Sequence, residues 1–276
     1  MGIVVKDLDL IFKFIEEKNF QLKDLKMCEL GNEWLQPNSW TKWAKTEDFK
    51  ESCFRYKTRP VPSPISDENG REQYLVSKHL FEKLGVEHVS VDLNGDDGAL
   101  ELDLTKDFRN QPQTETVNLY NNPNAKLPLG EYNKYYEYFD VVTNCGTTEH
   151  IDNKFGHNNY MGWKNLHNLL RVDGLHFSSL PALGYWHEHC NIYYNRDFFE
   201  KLCKFCNYEL LYNEINASPD QYTPETGKPE PNIRAAFIKT KDSKFLTEEE
   251  FASFNRIINR PFYAMGPNKI HTPKLW

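Results

Sequence analysis

The sequence predicts an α/β protein, a three-layer sandwich built on a mostly parallel sheet. Short apolar runs of strand length recur along the chain, at Leu25 to Leu30, around Val91, at Phe139 to Val142, and in LHFSSLP, YELLYNEI and NIRAAFIKT. Between several of them lie segments with helical spacing. Strands that alternate with helices lead to a parallel sheet covered on both faces.

The elements follow from local pattern. Leu8, Ile11, Phe12 and Ile15 fall at i, i+3, i+4 and i+7, so the N-terminal part, about residues 1–22, is expected to form a helical cap on the sheet. LKMCELGNEWL reads as a first strand that stops at Glu29, Leu30 and Gly31, where glycine permits a tight turn. An insertion over the site is expected at about residues 36–73, because TRPVPSPISDENG alternates prolines, which prevent a regular helix and disfavour a central strand. QYLVSKHLFEKLG returns to helical spacing at Val76, Leu80 and Leu84, with Gly85 placed as the residue just past the helix end. HVSVDLNG is a strand that closes on Asp92. Trp163, Leu166 and Leu170 share one face of a later helix that Gly174 is expected to end. Asp197 and Glu200 read as a capping-box pair for FFEKLCKFC, and Thr247 and Glu250 repeat that signature. With no internal repeat and no linker, a single domain of residues 1–276 is expected.

Composition narrows the function. A net charge of −7 without a block of Lys and Arg argues against a nucleic-acid partner and for a small-molecule or saccharide substrate. No apolar run approaches the roughly 18 to 20 residues that span a bilayer, so no membrane partner is expected. The six scattered cysteines suit a reducing, cytoplasmic setting without disulfides.

In open α/β sheets ligands bind beyond the carboxyl ends of the strands. Those ends carry Glu29 and Gly31, Asp92, Asp103, and the run Asn144 to His150, where Phe139 to Val142 gives way abruptly to Thr143, Asn144, Cys145, Gly146, Thr147, Thr148, Glu149 and His150. An acid after the second strand suits a ribose diol, because a carboxylate can accept two hydrogen bonds at once. The competing reading of the run is local: Thr147 or Thr148 caps a short helix, and His150 is a surface histidine. His187 and His189 in GYWHEHC have the spacing that begins a metal site, but no second cluster is apparent along the chain and no metal is expected. Cys203 and Cys206, at i and i+3 among Phe198, Phe199, Leu202 and Phe205, read as buried thiols.

In this order and spacing the chain resembles the class I S-adenosylmethionine-dependent methyltransferases over roughly Lys23 to Thr240. CELGN stands at the family's first glycine motif, VSVDLNG at its ribose-binding acid, LDLTKDF at its adenine loop and FDVVTNCGTTEHI at its active-site strand. The segment HEHCNIYYNRDFFEKLCKFCNYELL is similar to sugar-directed or small-molecule-directed members. The resemblance implies a Rossmann-like sheet with a final antiparallel strand. It also implies S-adenosylmethionine held by Glu29, Gly31, Asn32, Asp92, Leu93, Asp103, Leu104, Asn144 and Gly146. The acceptor would lie against Thr147, Glu149 and His189, with His150 or His187 taking its proton. The chain departs from the family at Asn32, Glu33 and Trp34, where further glycines are usual, so a non-catalytic nucleoside-binding protein on the same fold is the alternative. A nucleotide-dependent oxidoreductase would favour G-x-G-x-x-G, which is absent after the first strand.

Overall fold

A computed structural model of the chain describes residues 2–35, 54–56, 65–66, 72–93, 95, 98–111, 131–151, 159–186, 189–190, 192–218 and 230–254. In chain order the strands are β1 (Lys26–Leu30), β2 (Trp34–Leu35), β3 (Phe54–Tyr56), β4 (Ile65–Ser66), β5 (Glu72–Val76), β6 (Glu87–Asp92), β7 (Leu100–Glu101), β8 (Phe139–Asn144), β9 (Leu170–Pro181), β10 (Tyr208–Asn216) and β11 (Asn232–Lys239). The helices are α1 (Val5–Glu17), α2 (Ser77–Lys83), α3 (Tyr160–Leu169), α4 (Arg196–Cys206) and α5 (Glu248–Ala252).

Seven strands form the main sheet in the order β7-β6-β1-β8-β9-β11-β10. From β7 to β9 every pairing is parallel. Strand β11, the last in the chain, runs antiparallel to both of its neighbours, β9 and β10. The expected sheet with a final antiparallel strand is therefore what forms. Chain order reverses at β1, which has β6 on one side and β8 on the other. In this architecture ligands bind outside the carboxyl ends of the strands at such a reversal. Strands β2 and β3, with β4, pair antiparallel to β5 in a separate small sheet between β1 and α2.

Side chains alternate across the main sheet with the period of two that a strand imposes. Met27 and Val141 face one core, which takes in Leu8, Ile11, Phe14 and Ile15 of α1 and Leu80 and Phe81 of α2. Cys28, Leu30, Phe139 and Val142 face the other, which holds Trp163 and Leu166 of α3, Phe198, Phe199 and Leu202 of α4, and Phe251 of α5. These are the three layers, with α1 packed on the first of these faces. Gly85 follows the C-cap of α2 at φ +88°, as its position predicts. Cys203 and Cys206 are buried, and the five described cysteines are free. Among the described residues no helix is long and apolar enough to cross a membrane.

Two local expectations are corrected. The helix of Trp163 ends at Leu169, and Gly174 lies inside β9, where a Cβ would sit 2.8 Å from the Arg171 carbonyl. Its missing side chain serves close backbone approach, not helix termination. Helix α4 begins one residue before Asp197: Asn195 is the N-cap and its Oδ1 accepts from the Phe198 N–H at 3.0 Å. The Thr247 and Glu250 capping box forms with both of its bonds.

Two buried cations of the sheet, Arg234 and Lys239, are each answered by a carboxylate and backbone carbonyls. Arg234 of β11 donates to Asp7 of α1 at 2.6 Å and to the Asn216 backbone carbonyl at 2.7 Å. Lys239 donates to Glu137 at 2.8 Å and to the carbonyls of His167 and Leu170, each at 2.9 Å. His176 of β9 is fully buried against Phe237, with Nε2 2.6 Å from Ser178 Oγ. Burial holds its pKa down at about 3. In the unfolded chain an imidazole titrates near 6.5. Protons therefore load the unfolded state first, and stability present above pH 6.5 is lost as pH falls toward 3. At pH 5 this one group is expected to cost about 2 kcal/mol relative to pH 7.5, and His176→Phe should remove that share. Urea unfolding of both proteins at the two pH values checks it; equal pH losses would contradict the assignment.

Candidate functional site

The loops that leave β1, β6 and β8 are stitched together at the carboxyl edge. The Gly31 N–H donates to the Val91 carbonyl at 2.8 Å, and the Asn32 N–H donates to Asp92 Oδ2 at 3.2 Å. From β8's side, Thr147 Oγ1 donates to the Leu30 carbonyl. Gly31 adopts φ +86°, and a Cβ there would overlap Thr147 Oγ1 and lie 2.9 Å from Glu33 Oε1. Only glycine satisfies both the backbone conformation and the space.

Glu29 lies beneath this loop. Its carboxylate is fully buried, with Ser77 Oγ 2.6 and 2.7 Å from its two oxygens, and it accepts the Glu33 N–H at 3.0 Å. It braces the loop from below. Asp92 is part-exposed at the end of β6, and Leu93 beyond it is 61% exposed. Asp103 stands on the same edge, next to Leu102, whose N–H donates to the Asp92 carbonyl at 3.0 Å. The Asp103 carboxylate turns onto its own loop, accepting from Thr105 Oγ1 at 2.6 Å and pairing with Lys106 at 2.7 Å. Leu104 is buried in the core, and its carbonyl accepts from Asn165.

Beyond β8, Asn144 holds the turn. Its Oδ1 accepts from the Thr148 N–H at 3.2 Å, and its Nδ2 donates to Thr148 Oγ1 at 2.8 Å. Thr148 also accepts from the Tyr194 hydroxyl at 3.0 Å, which in turn accepts from Asn159 and Trp163. Gly146 takes φ +97°. Thr148–His150 make one turn of 3-10 helix. Thr147 stands at its N-cap position without a side-chain capping bond, because its hydroxyl ties the β1 loop instead.

The chain after β9 then meets this turn. The Ile192 N–H donates to the Glu149 carbonyl at 3.2 Å, and the His189 N–H to the Trp186 carbonyl at 3.2 Å. His189 sits between Trp186 and His150, with ring centroids 5.1 and 5.2 Å away. Glu149, His150 and His189 each offer a donor atom, and these atoms lie within 4.8 Å of one another. Glu149 is fully buried, and neither carboxylate oxygen has a hydrogen-bond partner among the described residues. Burial pushes its pKa up to about 7. Burial lowers His189 to about 4; His150, although its ring is half open to solvent, is drawn in the same direction by its surroundings and by His189, so both rings are neutral at neutral pH. Glu33 is raised well above a normal carboxylate by burial and by the neighbouring Glu29, Glu149 and Asp92.

The fold thus gathers Gly31, Asn32 and Asp92 at the ends of β1 and β6, and Thr147, Glu149, His150 and His189 at and beyond the end of β8. Glu29 and Asn144 support the two loops from within. His187 lies outside the described residues. Sequence reasoning did not single out Ser77 or Tyr194; the only signal for Tyr194 was its place in the YYNRDFF motif.

No protein-family model matches the chain, and no curated protein matches it. Among solved structures it is similar to a Burkholderia thailandensis 1,6-didemethyltoxoflavin-N1-methyltransferase with bound 1,6-didemethyltoxoflavin and S-adenosylhomocysteine. That similarity has 10% identity and a TM-score of 0.41, over 86% of this chain and 88% of that one. It is also similar to a SAM-dependent methyltransferase from Archaeoglobus fulgidus, at 10% identity and a TM-score of 0.38, over 84% of this chain and 94% of that one. The strand order, with one reversed strand beside β9, defines the fold itself as Rossmann-like.

Gly31→Ala is expected to destabilise the protein by about 2 to 4 kcal/mol, through a strained φ and the overlap with Thr147. Adding Thr147→Ala should recover the contact share but not the backbone share. Urea unfolding of the single and double variants measures both; a Gly31→Ala cost below about 0.5 kcal/mol, the size of an ordinary surface change, would contradict the tight loop.

Proposed function

We propose that the chain is an S-adenosylmethionine-dependent methyltransferase acting on an oxygen or nitrogen of a small molecule or saccharide, in a cytoplasmic setting. The observation that carries this reading is the convergence, at the point where strand order reverses, of the Gly31 turn and Asp92 with Glu149, His150 and His189. The residues fit the cofactor in kind. Asp92 ends β6 with a part-exposed carboxylate for a ribose diol, the glycine turn brings backbone close to the crevice, and the gathered carboxylates favour a cationic sulfonium.

S-adenosylmethionine supplies an electrophilic methyl group to the acceptor's lone pair. The protein's own contribution is alignment and proton removal. Asp92, with Asn32 and Gly31, would hold the nucleoside; Leu93, Asp103 and Leu104 would border the adenine; Glu29, Asn144 and Gly146 would fix the loops around the methionine part. Thr147, Glu149 and His189 would contact the acceptor. A neutral His150, half open to solvent, can accept the acceptor's proton, and His187 is the alternative base. The insertion, about residues 36–73, would cover the site of a single domain.

One observation favours a second reading. Glu33 places its carboxylate over Gly31, 2.9 Å from where a Cβ would be, which narrows the loop and suits a non-catalytic nucleoside-binding protein. Cofactor binding without methyl transfer to any acceptor would favour it.

Asp92→Ala should lose about 2 to 3 kcal/mol of affinity for S-adenosylhomocysteine, roughly 30- to 150-fold, with about 1 kcal/mol of stability lost along with the bond from the Asn32 N–H. Calorimetric titration of the wild type and the variant reads this directly. An unchanged dissociation constant would remove Asp92 from the site, and absence of binding to the wild type at millimolar ligand would sink the methyltransferase reading.

A further inference from the structure

We propose that Glu149, His150 and His189 form a binding site for one divalent transition-metal ion, of the zinc, iron(II) or manganese(II) class. Their donor atoms lie within 4.8 Å of one another. Donors about 2.1 Å from a shared ion sit roughly 3.0 to 3.4 Å apart, so small side-chain rotations close the set. Glu149 Oε1 and His150 Nε2 are already 3.7 Å apart.

The second observation is the state of the carboxylate. Glu149 is 0% exposed, and neither of its oxygens has a partner among the described residues. His189 Nε2 is likewise buried and without a partner among them. A fully buried carboxylate whose oxygens lack side-chain partners is costly, and a dication held jointly with two imidazoles removes that cost. The backbone is set for this: Glu149 and His150 share one 3-10 turn, and the Ile192 N–H bond to the Glu149 carbonyl brings the His189 segment alongside. Cys190 is not a fourth donor, since its thiol donates to the Ile192 carbonyl at 3.1 Å.

Two neutral nitrogens and one carboxylate oxygen suit zinc, iron(II) or manganese(II). Three protein donors leave positions open, the pattern of a site that takes an exogenous ligand. On the methyltransferase reading those positions would take a hydroxyl oxygen of the acceptor and lower its pKa, with His187, not the metal-holding His150, as the base, which deepens the substrate class to an oxygen acceptor.

The test titrates cobalt(II) into chelator-stripped full-length protein, following visible absorption, with zinc(II) as competitor. The expected result is a single equivalent of cobalt(II), displaced by zinc(II), with affinity reduced at least about 100-fold in Glu149→Gln and His189→Ala. His79→Ala, on α2, should bind as the wild type does. If circular dichroism shows Glu149→Gln to be unfolded, His150→Ala, whose ring is half exposed, and His189→Ala decide. Absence of cobalt(II) binding to the wild type, or equal binding in the His150 and His189 variants, overturns the site. S-adenosylhomocysteine titration of the same samples is read separately: cobalt(II) bound without it would leave the metal site standing and the methyltransferase reading refuted.

Discussion

The crevice depends on the hydrogen bond from Thr147 to the Leu30 carbonyl, made across the point where strand order reverses. Where the loops after β1 and β8 leave a parallel sheet at such a reversal, backbone groups lose their ladder partners. Thr147 satisfies one of them, and the Gly31 N–H and Asn32 N–H are satisfied from β6. The glycine turn is therefore a junction of three strand ends. A side chain at position 31 would push all three apart, because Thr147 and Glu33 already occupy the adjoining space.

Acidic groups are handled differently in the two halves of this junction. Glu29 is buried but answered by Ser77 and the Glu33 N–H, so it stabilises the turn. Glu149 is buried and unanswered among the described residues. Proteins concentrate such uncompensated groups where chemistry or binding needs them, and pack well elsewhere. The rest of this sheet follows that division: Arg234 and Lys239 are as deeply buried as Glu149, yet both are fully engaged.

Much of this was legible along the chain, because strand ends and turn residues are local signals. The stop at Gly31, the acid at Asp92 and the polar run after Val142 mark three edges that the fold brings together. The capping box at Thr247 was also legible, since both partners lie within one turn. Asp197 and Glu200 show the same pattern and fail, because Asn195 offers an equally good cap two residues earlier. Gly174 was misread because a glycine after a helical run ends a helix or permits close backbone packing, and spacing does not distinguish the two. The meeting of His189 with Glu149 and His150 followed from the family resemblance and not from any local pattern. It needs β9 to lie beside β8 and the following segment to fold back onto the turn, and neither is encoded within a local window.

The most direct test of the account is a crystal structure of the protein grown with S-adenosylhomocysteine. The ribose hydroxyls are expected on Asp92, the nucleoside beside the Gly31 turn, and the sulfur facing Thr147, Glu149 and His150. A ligand bound away from the carboxyl ends of β1, β6 and β8, or one with its ribose turned from Asp92, would contradict it.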